Sequence, residues 1–169
     1  MDKQFSQQTL RQVMGAFTTG VTVITSTYNH KPCGMTVNSF SSVSLQPPLI
    51  LWCLGNNQPN HDHFIATEFF AVNILAQHQQ AISDHFAQSG QQDFSCCDWV
   101  MSKRSLPLLS GCVATLECQQ QQTIQAGDHH IMVGKVLAVR RTWQSPLVFI
   151  NGQYGEFQQQ QSSEHDGLL

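Results

Sequence analysis

The sequence predicts a mainly β domain, an antiparallel barrel with a few short helices at its edges. Three observations carry that prediction. Seven or so short runs are rich in β-branched and aromatic residues. Most of these runs follow one another too closely to leave room for a crossover helix. Only two or three segments carry a helical period. At 169 residues the chain is long enough to bury a real core as one domain.

Each element follows from local chemistry. Leu10, Val13, Met14 and Phe17 fall at i, i+3, i+4 and i+7, which predicts a helix over 6–19 with Gly20 as its stop. Val21–Tyr28 is a β-branched strand, and Asn29-His30-Lys31-Pro32 turns the chain into the next one. Strands are expected at 34–42 and 49–54. Asn56-Asn57-Gln58-Pro59 reads as a loop, with Pro59 starting a short helix through Ala66. A strand over Phe69–Leu75 is followed by a helix over 77–88 with Ala81, Ile82, His85 and Phe86 on one side. Residues 89–106 read as irregular. Two long strands at 112–124 and 129–140 join across Ala126-Gly127-Asp128, and Leu147–Ile150 is the last strand. The domain is expected over 1–155, with the Gln- and Ser-rich residues 156–169 as a tail that has little to bury.

Composition narrows the function. Hydrophobic residues are 41% and charged residues 11% of the chain, and Gln, Ser, Thr and Asn supply the difference from ordinary composition. The net charge is −3 with eight Lys plus Arg, and no basic stripe suggests a nucleic-acid partner. So few surface charges suggest that a second copy of the chain covers part of the surface, which predicts a homodimer. No apolar run approaches the ~18 residues of a membrane span. Residues 1–12 are polar rather than signal-like, and the six cysteines contain no Cys-x-x-Cys pair. They are expected to be reduced thiols of a cytoplasmic protein, mostly core filler, with adjacent Cys96 and Cys97 the exception to watch.

One strand asks for an explanation. Residues 34–48, GMTVNSFSSVSLQPP, open like a buried strand, fill with hydroxyl and amide side chains, and stop at a double proline. A strand built only for packing would use Val, Ile and aromatics. These polar groups suit a planar heteroaromatic ligand or a phosphate, and they equally suit an exposed edge strand with a polar face. No dinucleotide fingerprint, P-loop or Gly-x-Ser-x-Gly elbow competes. His61-x-His63 carries a metal pattern only weakly, because on a helix the two rings diverge and no third ligand is near, so no metal is expected.

Four blocks in order, FTTGVTVIT (17–25), GMTVNSFSSVSLQPPL (34–49), FAVNIL (70–75) and GDHHIMVGKV (127–136), resemble the flavin reductase-like family with its FMN-binding split barrel. The resemblance spans about residues 8–155. It implies an antiparallel, Greek-key-like split β-barrel and an NAD(P)H:flavin oxidoreductase that reduces FMN, with FAD possible, and supplies reduced flavin to a partner monooxygenase. The resemblance further implies that Met35, Thr36, Val37, Asn38, Ser39, Ser41 and Ser42 line the flavin, with Cys53, Leu54, Gln58 and Asn60 on the phosphate side. This chain has Gln58-Pro59-Asn60 where relatives often carry Ser-x-Thr and nearby cations. Lys31, just before the polar strand, either supplies the missing charge or is a solvated turn lysine.

By the same resemblance, His129 of the Gly-Asp-His sequence lies near the nicotinamide, and His130 points to the opposite side and is structural. Tyr154 matches an aromatic beside the flavin, and Phe94 falls in an irregular segment expected to cover the ring from the partner subunit. The scarcity of Arg leans toward NADH over NADPH. A non-catalytic flavin carrier or redox sensor of the same fold is the alternative. A pyridoxamine phosphate oxidase relative is disfavoured, because a substrate phosphate favours Arg recognition.

Overall fold

The computed structural model describes residues 5–88 and 93–159. In chain order it begins with α1 (Gln7–Gly15), β1 (Thr19–Gly20), β2 (Thr22–Tyr28), β3 (Lys31–Val37), β4 (Ser41–Leu45) and β5 (Pro48–Gly55). Next come α2 (His61–Ala66), β6 (Phe69–Ile74), a 3-10 turn at Gln77–Gln79 and α3 (Gln80–Ala87). The remainder is β7 (Trp99–Met101), β8 (Pro107–Leu109), β9 (Ala114–Ala126), β10 (His129–Arg141), β11 (Leu147–Ile150) and β12 (Gln153–Glu156).

Seven strands form one antiparallel sheet in the order β3-β2-β6-β9-β10-β5-β4. Its two edge strands, β3 and β4, are consecutive in the chain and separated only by Asn38–Phe40. The short run of chain from Val37 to Ser41 holds the edges within about 14 Å at that corner, yet no ladder joins them. The sheet is therefore a barrel with one open seam. Its interior is filled by Ile24, Cys33, Met35, Ile50, Trp52, Leu54, Phe70, Val72, Cys118 and Met132, with Phe64 of α2 as a plug. Gly134 makes this packing possible, since a Cβ there would stand 2.5 Å from Phe70 Cζ.

A second core lies on the outer side of β2. Val21, Val23, Leu75, Phe86, Phe94, Leu109, Cys112 and Leu147 pack together beneath α3. Because β2 is covered on both sides, Thr22–Ser26 are all buried, which explains its nearly continuous β-branched run. Gly34 lets α3 approach, with Phe86 ring carbons 2.9 Å from where a Cβ would sit. Buried Asn73 ties the layers: its Nδ2 donates to Val23 O and Thr25 Oγ1, and its Oδ1 accepts from Leu109 N, each at 3.0 Å.

Several expectations change. The helix expected over 6–19 stops at Gly15, and Thr19 and Gly20 instead pair with Phe149 and Val148 of β11. The Asn151 N–H donates to Gly15 O at 2.8 Å, so the sheet takes over a carbonyl that a longer helix would use. The single strand expected over 34–42 is two strands turned at Asn38–Phe40. Asn29 and His30, with φ of 48° and 63°, make a tight hairpin turn, so β3 starts at Lys31. Lys31 thus sits at the far end of β3 from Asn38, about 23 Å away along an extended strand, in the hairpin whose Tyr28 packs against His63 of α2. Pro59 lies in the turn before α2, which begins at His61. The region expected to be irregular contains β7, and β8 and β12 are strands beyond those expected. Glu156 belongs to β12, and residues 160–169 of the expected tail lie outside the described residues.

Candidate functional site

The open seam is where the polar residues collect. Asn38, Ser39, Phe40 and Ser41 face Met14, Gly15 and Phe17 of the α1 end, Thr19 of β1 and Phe149 of β11 across a cleft of about 400 Å³. The β1–β11 pairing holds the α1 end in place above the seam. Thr19 Oγ1 is buried in this setting with no hydrogen-bond partner, a cost that a bound polar ligand would remove. Met14 and Phe17 are 64% and 74% exposed, so the apolar wall of the cleft is open to solvent.

Ser39 links this cleft to the end of β5. The Cys53 N–H donates to Ser39 Oγ at 2.9 Å, extending the β4–β5 ladder with a side chain where the backbone has turned away. Further along β5, Gly55 pairs with His129, and an ideal Cβ at Gly55 would stand 3.5 Å from His129 Nε2 and 3.6 Å from Gln58 Cγ. Ser39, Cys53, Gln58 and His129 therefore run as one stripe down the end of the β5–β10 pair.

His129 Nδ1 lies 2.7 Å from Asp128 Oδ1. That bond, the imidazole charge and the nearby Arg11 guanidinium hold the Asp128 carboxyl below the usual range, against a small opposing desolvation. An ionised Asp128 fixes the His129 Nδ1–H and leaves Nε2 toward Gln58. His130 is committed elsewhere, with Nδ1 at 2.9 Å from Asn56 Oδ1 and 3.2 Å from His61 Nε2. His63 turns to the Tyr28 ring, 4.8 Å away, and burial lowers its pKa. Among the described residues no group of three or more His, Cys, Asp and Glu could hold a metal ion.

The remaining expected site residues divide by strand alternation. Met35 and Leu54 point into the barrel core at 7% and 0% exposure, so only their backbones are near the seam. Thr36 turns to the other side and donates to Ser83 O at 2.8 Å, and Val37 closes the edge of the core. Ser42 lies outside the cleft on exposed β4. The Asn60 carbonyl accepts from Phe64 N at 3.0 Å at the start of α2.

Phe94 is corrected: it is buried in the second core, its ring 4.9 Å from Phe86 and 5.5 Å from Trp99, and is not available to cover a ligand. Tyr154 stands behind the cleft rather than in it. Its hydroxyl donates to Asp84 Oδ1 at 2.7 Å, its oxygen lies 2.9 Å from Ser83 Oγ, and its ring packs edge-on against Phe149 at 5.3 Å. Burial raises the Tyr154 pKa, with Asp84 adding to the shift. Sequence reasoning misses Met14, Phe17, Thr19 and Phe149 as site residues. The one sequence signal for the first two is an apolar helix stripe, which reads equally well as core.

The donor set fits a flavin. Apolar and aromatic side chains can cover a planar ring, while Asn38, Ser39, Ser41 and the unpartnered Thr19 hydroxyl can meet its polar edge. Comparison with known proteins agrees. The model of the flavin reductase like domain matches residues 14–158. FMN reductase (NADH) SmoA of Agrobacterium fabrum is 40% identical over 92% of this chain and 88% of its own length. The flavin-dependent monooxygenase reductase subunit HsaB of Mycobacterium tuberculosis is 32% identical over 91% of this chain and 84% of its own. Some relatives are longer, and the chain spans only 49% and 66% of two from Rhizobium meliloti. The Streptomyces globisporus NADH:FAD oxidoreductase SgcE6, solved with NAD and FAD fragments, superposes with a TM-score of 0.86 at 40% identity, covering 90% of this chain and 93% of that one. A split antiparallel barrel with its polar corner at the seam, matched over nearly its full length, belongs to the flavin reductase-like family.

Proposed function

We propose that the protein is an NADH-dependent flavin reductase that takes FMN, or FAD, at the barrel seam and delivers it reduced to a partner monooxygenase. The observation that carries this reading is the cleft in which Asn38–Ser41 faces Met14, Phe17 and Phe149 around the orphaned Thr19 hydroxyl. When bound, a flavin accepts hydride at N5 from the nicotinamide C4. The protein's own part is modest. Met14, Phe17 and Phe149 cover ring faces and exclude water. Asn38, Ser39 and Ser41 fix the polar edge. Backbone N–H groups of the corner stabilise negative charge at the pyrimidine side. Gln58 and Asn60 serve the phosphate as amide donors in place of a local cation.

His129 positions the nicotinamide, holding its carboxamide through Nε2 while Asp128 retains the Nδ1 proton. The SmoA and SgcE6 relatives, both NADH enzymes, favour that nucleotide, and the HsaB relative favours delivery to an oxygenase. A homodimer is supported by the low charge content and by the exposed apolar side chains of α1, which stay uncovered among the described residues. A cytoplasmic setting is supported by six cysteines, all free thiols. No described helix is long and apolar enough to cross a membrane.

The test is nicotinamide absorbance followed with and without added FMN. Flavin-dependent loss is the expected result, and quenched FMN fluorescence without loss would leave a carrier. In the active protein, His129→Ala should raise the NADH KM or lower turnover about tenfold, the worth of one lost hydrogen bond. Unchanged kinetics would remove His129 from the site.

A further inference from the structure

A second cleft meets the first at Gly15. It has a volume of about 380 Å³ and is lined by Gln8, Arg11, Gln12, Gly15, Asn151 and Gly152. Gln8, Arg11, Gln12 and Gly15 fall at i, i+3, i+4 and i+7, so they form one stripe of α1, while Met14 and Phe17 flank the flavin cleft. The two clefts share Gly15 at the helix end, so together they present an aromatic half and a half lined by one guanidinium and the three side-chain amides of Gln8, Gln12 and Asn151. Opposite α1, the groove wall is the left-handed Asn151–Gly152 turn, with φ of 50° and 77°.

Arg11 is uncommitted and lines the cleft, whereas two other arginines are engaged. Arg104 pairs with Glu117 at 3.2 Å, Arg141 lies over the Trp143 ring at 4.4 Å, and Lys31 sits at the far end of β3. Among the described residues Arg11 makes no ion pair, although its charge reaches the Asp128–His129 pair. An unpaired guanidinium between amide donors offers a planar fork for a phosphate.

We propose that Arg11, with Gln8 and Gln12, binds the pyrophosphate of the nicotinamide dinucleotide while its nicotinamide ring sits across Gly15 in the aromatic half of the groove. This rests on the flavin reductase reading. The flavin's own phosphate is expected beyond Ser39, toward Gln58 and Asn60, while the Arg11 charge reaches Asp128, the partner of the His129 proposed to meet the nicotinamide. An anion in the Arg11 half therefore belongs to the second substrate, and Arg11 is a specificity residue for the hydride donor rather than for the flavin. Because α1 contains no buried residue, a change at Arg11 disturbs no core packing.

The test uses Arg11→Gln and Arg11→Lys beside the unaltered protein, with NADH titrated at saturating FMN. Arg11→Gln should raise the NADH KM about tenfold, the loss of one charged fork. Inhibition by ADP, competitive with NADH, should weaken in parallel, and the FMN dissociation constant should stay within about twofold. Arg11→Lys should recover part of the loss, because the charge remains and the fork does not. Raising KCl should increase the NADH KM of the unaltered protein and leave that of Arg11→Gln nearly flat. An unchanged NADH KM in Arg11→Gln, or a loosened FMN instead, would overturn the assignment while leaving the reductase reading intact. Unaltered protein that oxidises neither NADH nor NADPH with FMN present would overturn both.

Discussion

The barrel interior and the seam are built from neighbouring stretches of one chain, yet by opposite rules. In β3 the run Cys33–Met35 is buried, while just past the Asn38–Phe40 corner Ser41, Ser42 and Val43 of β4 are all exposed. In the interior, Phe64 and Phe70 meet Trp52 edge to face at 5.5 and 5.8 Å. At the seam, Met14 and Phe17 stand open and Thr19 Oγ1 has no partner. The Trp52 Nε1–H is also unpartnered, but Trp52 is fully enclosed among apolar side chains, whereas Thr19 lines a cleft that a ligand can enter. The difference teaches that stability and function reside in separate regions: the interior is packed shut, and the seam is complete only with a ligand.

The comparison breaks most visibly from the inside. Phe70→Ala should cost about 3–5 kcal/mol of stability, because the barrel wall around Trp52 and Gly134 cannot collapse onto the space. Thermal or urea unfolding measures it, and a loss under about 1 kcal/mol would mean that the interior is not the closed core described.

Alkali should attack the same region next. Burial pushes the Cys33, Cys112 and Cys118 thiols up to about 12 from an ordinary value of 9.0. Raised folded values mean that their contribution is fully present below about pH 9 and is lost as pH rises from there toward 12. Each should remove up to about 1.4 kcal/mol per pH unit in that window. Unfolding curves between about pH 8 and 11 test this, and Cys118→Ala should flatten the slope.

The smallest effect on stability belongs to the seam. Phe17→Ala should change stability by no more than about 0.5 kcal/mol, since its side chain is already open to solvent. FMN affinity should nevertheless weaken about tenfold, as expected for losing one aromatic face. A large loss of stability with unchanged FMN binding would reverse the roles assigned to the two regions.

Much of this is legible in the sequence. The strand runs of β2, β5, β6, β9, β10 and β11 are readable because their β-branched and apolar residues report burial through local pattern alone. The polar corner is readable because Thr, Asn and Ser in a strand contradict packing, and a contradiction of that kind marks a site. Its walls are not. Met14, Phe17 and Phe149 look the same in sequence whether they fill a core or line a cleft, and Phe94 misleads for the same reason.

What the sequence determined by itself was the barrel, its alternation of inward and outward residues, and the chemistry of Asn38–Ser41. What only the tertiary structure decided was where α1 ends and what it faces. The Gly15 carbonyl is claimed by Asn151, and Thr19 and Gly20 by β11, partners from the opposite end of the domain's sequence. Local periodicity carries no information about such long-range competition for backbone hydrogen bonds. That competition sets Phe17 over the seam cleft and Arg11 in the adjoining one, and so makes two faces of the helix end into walls of two clefts that share Gly15.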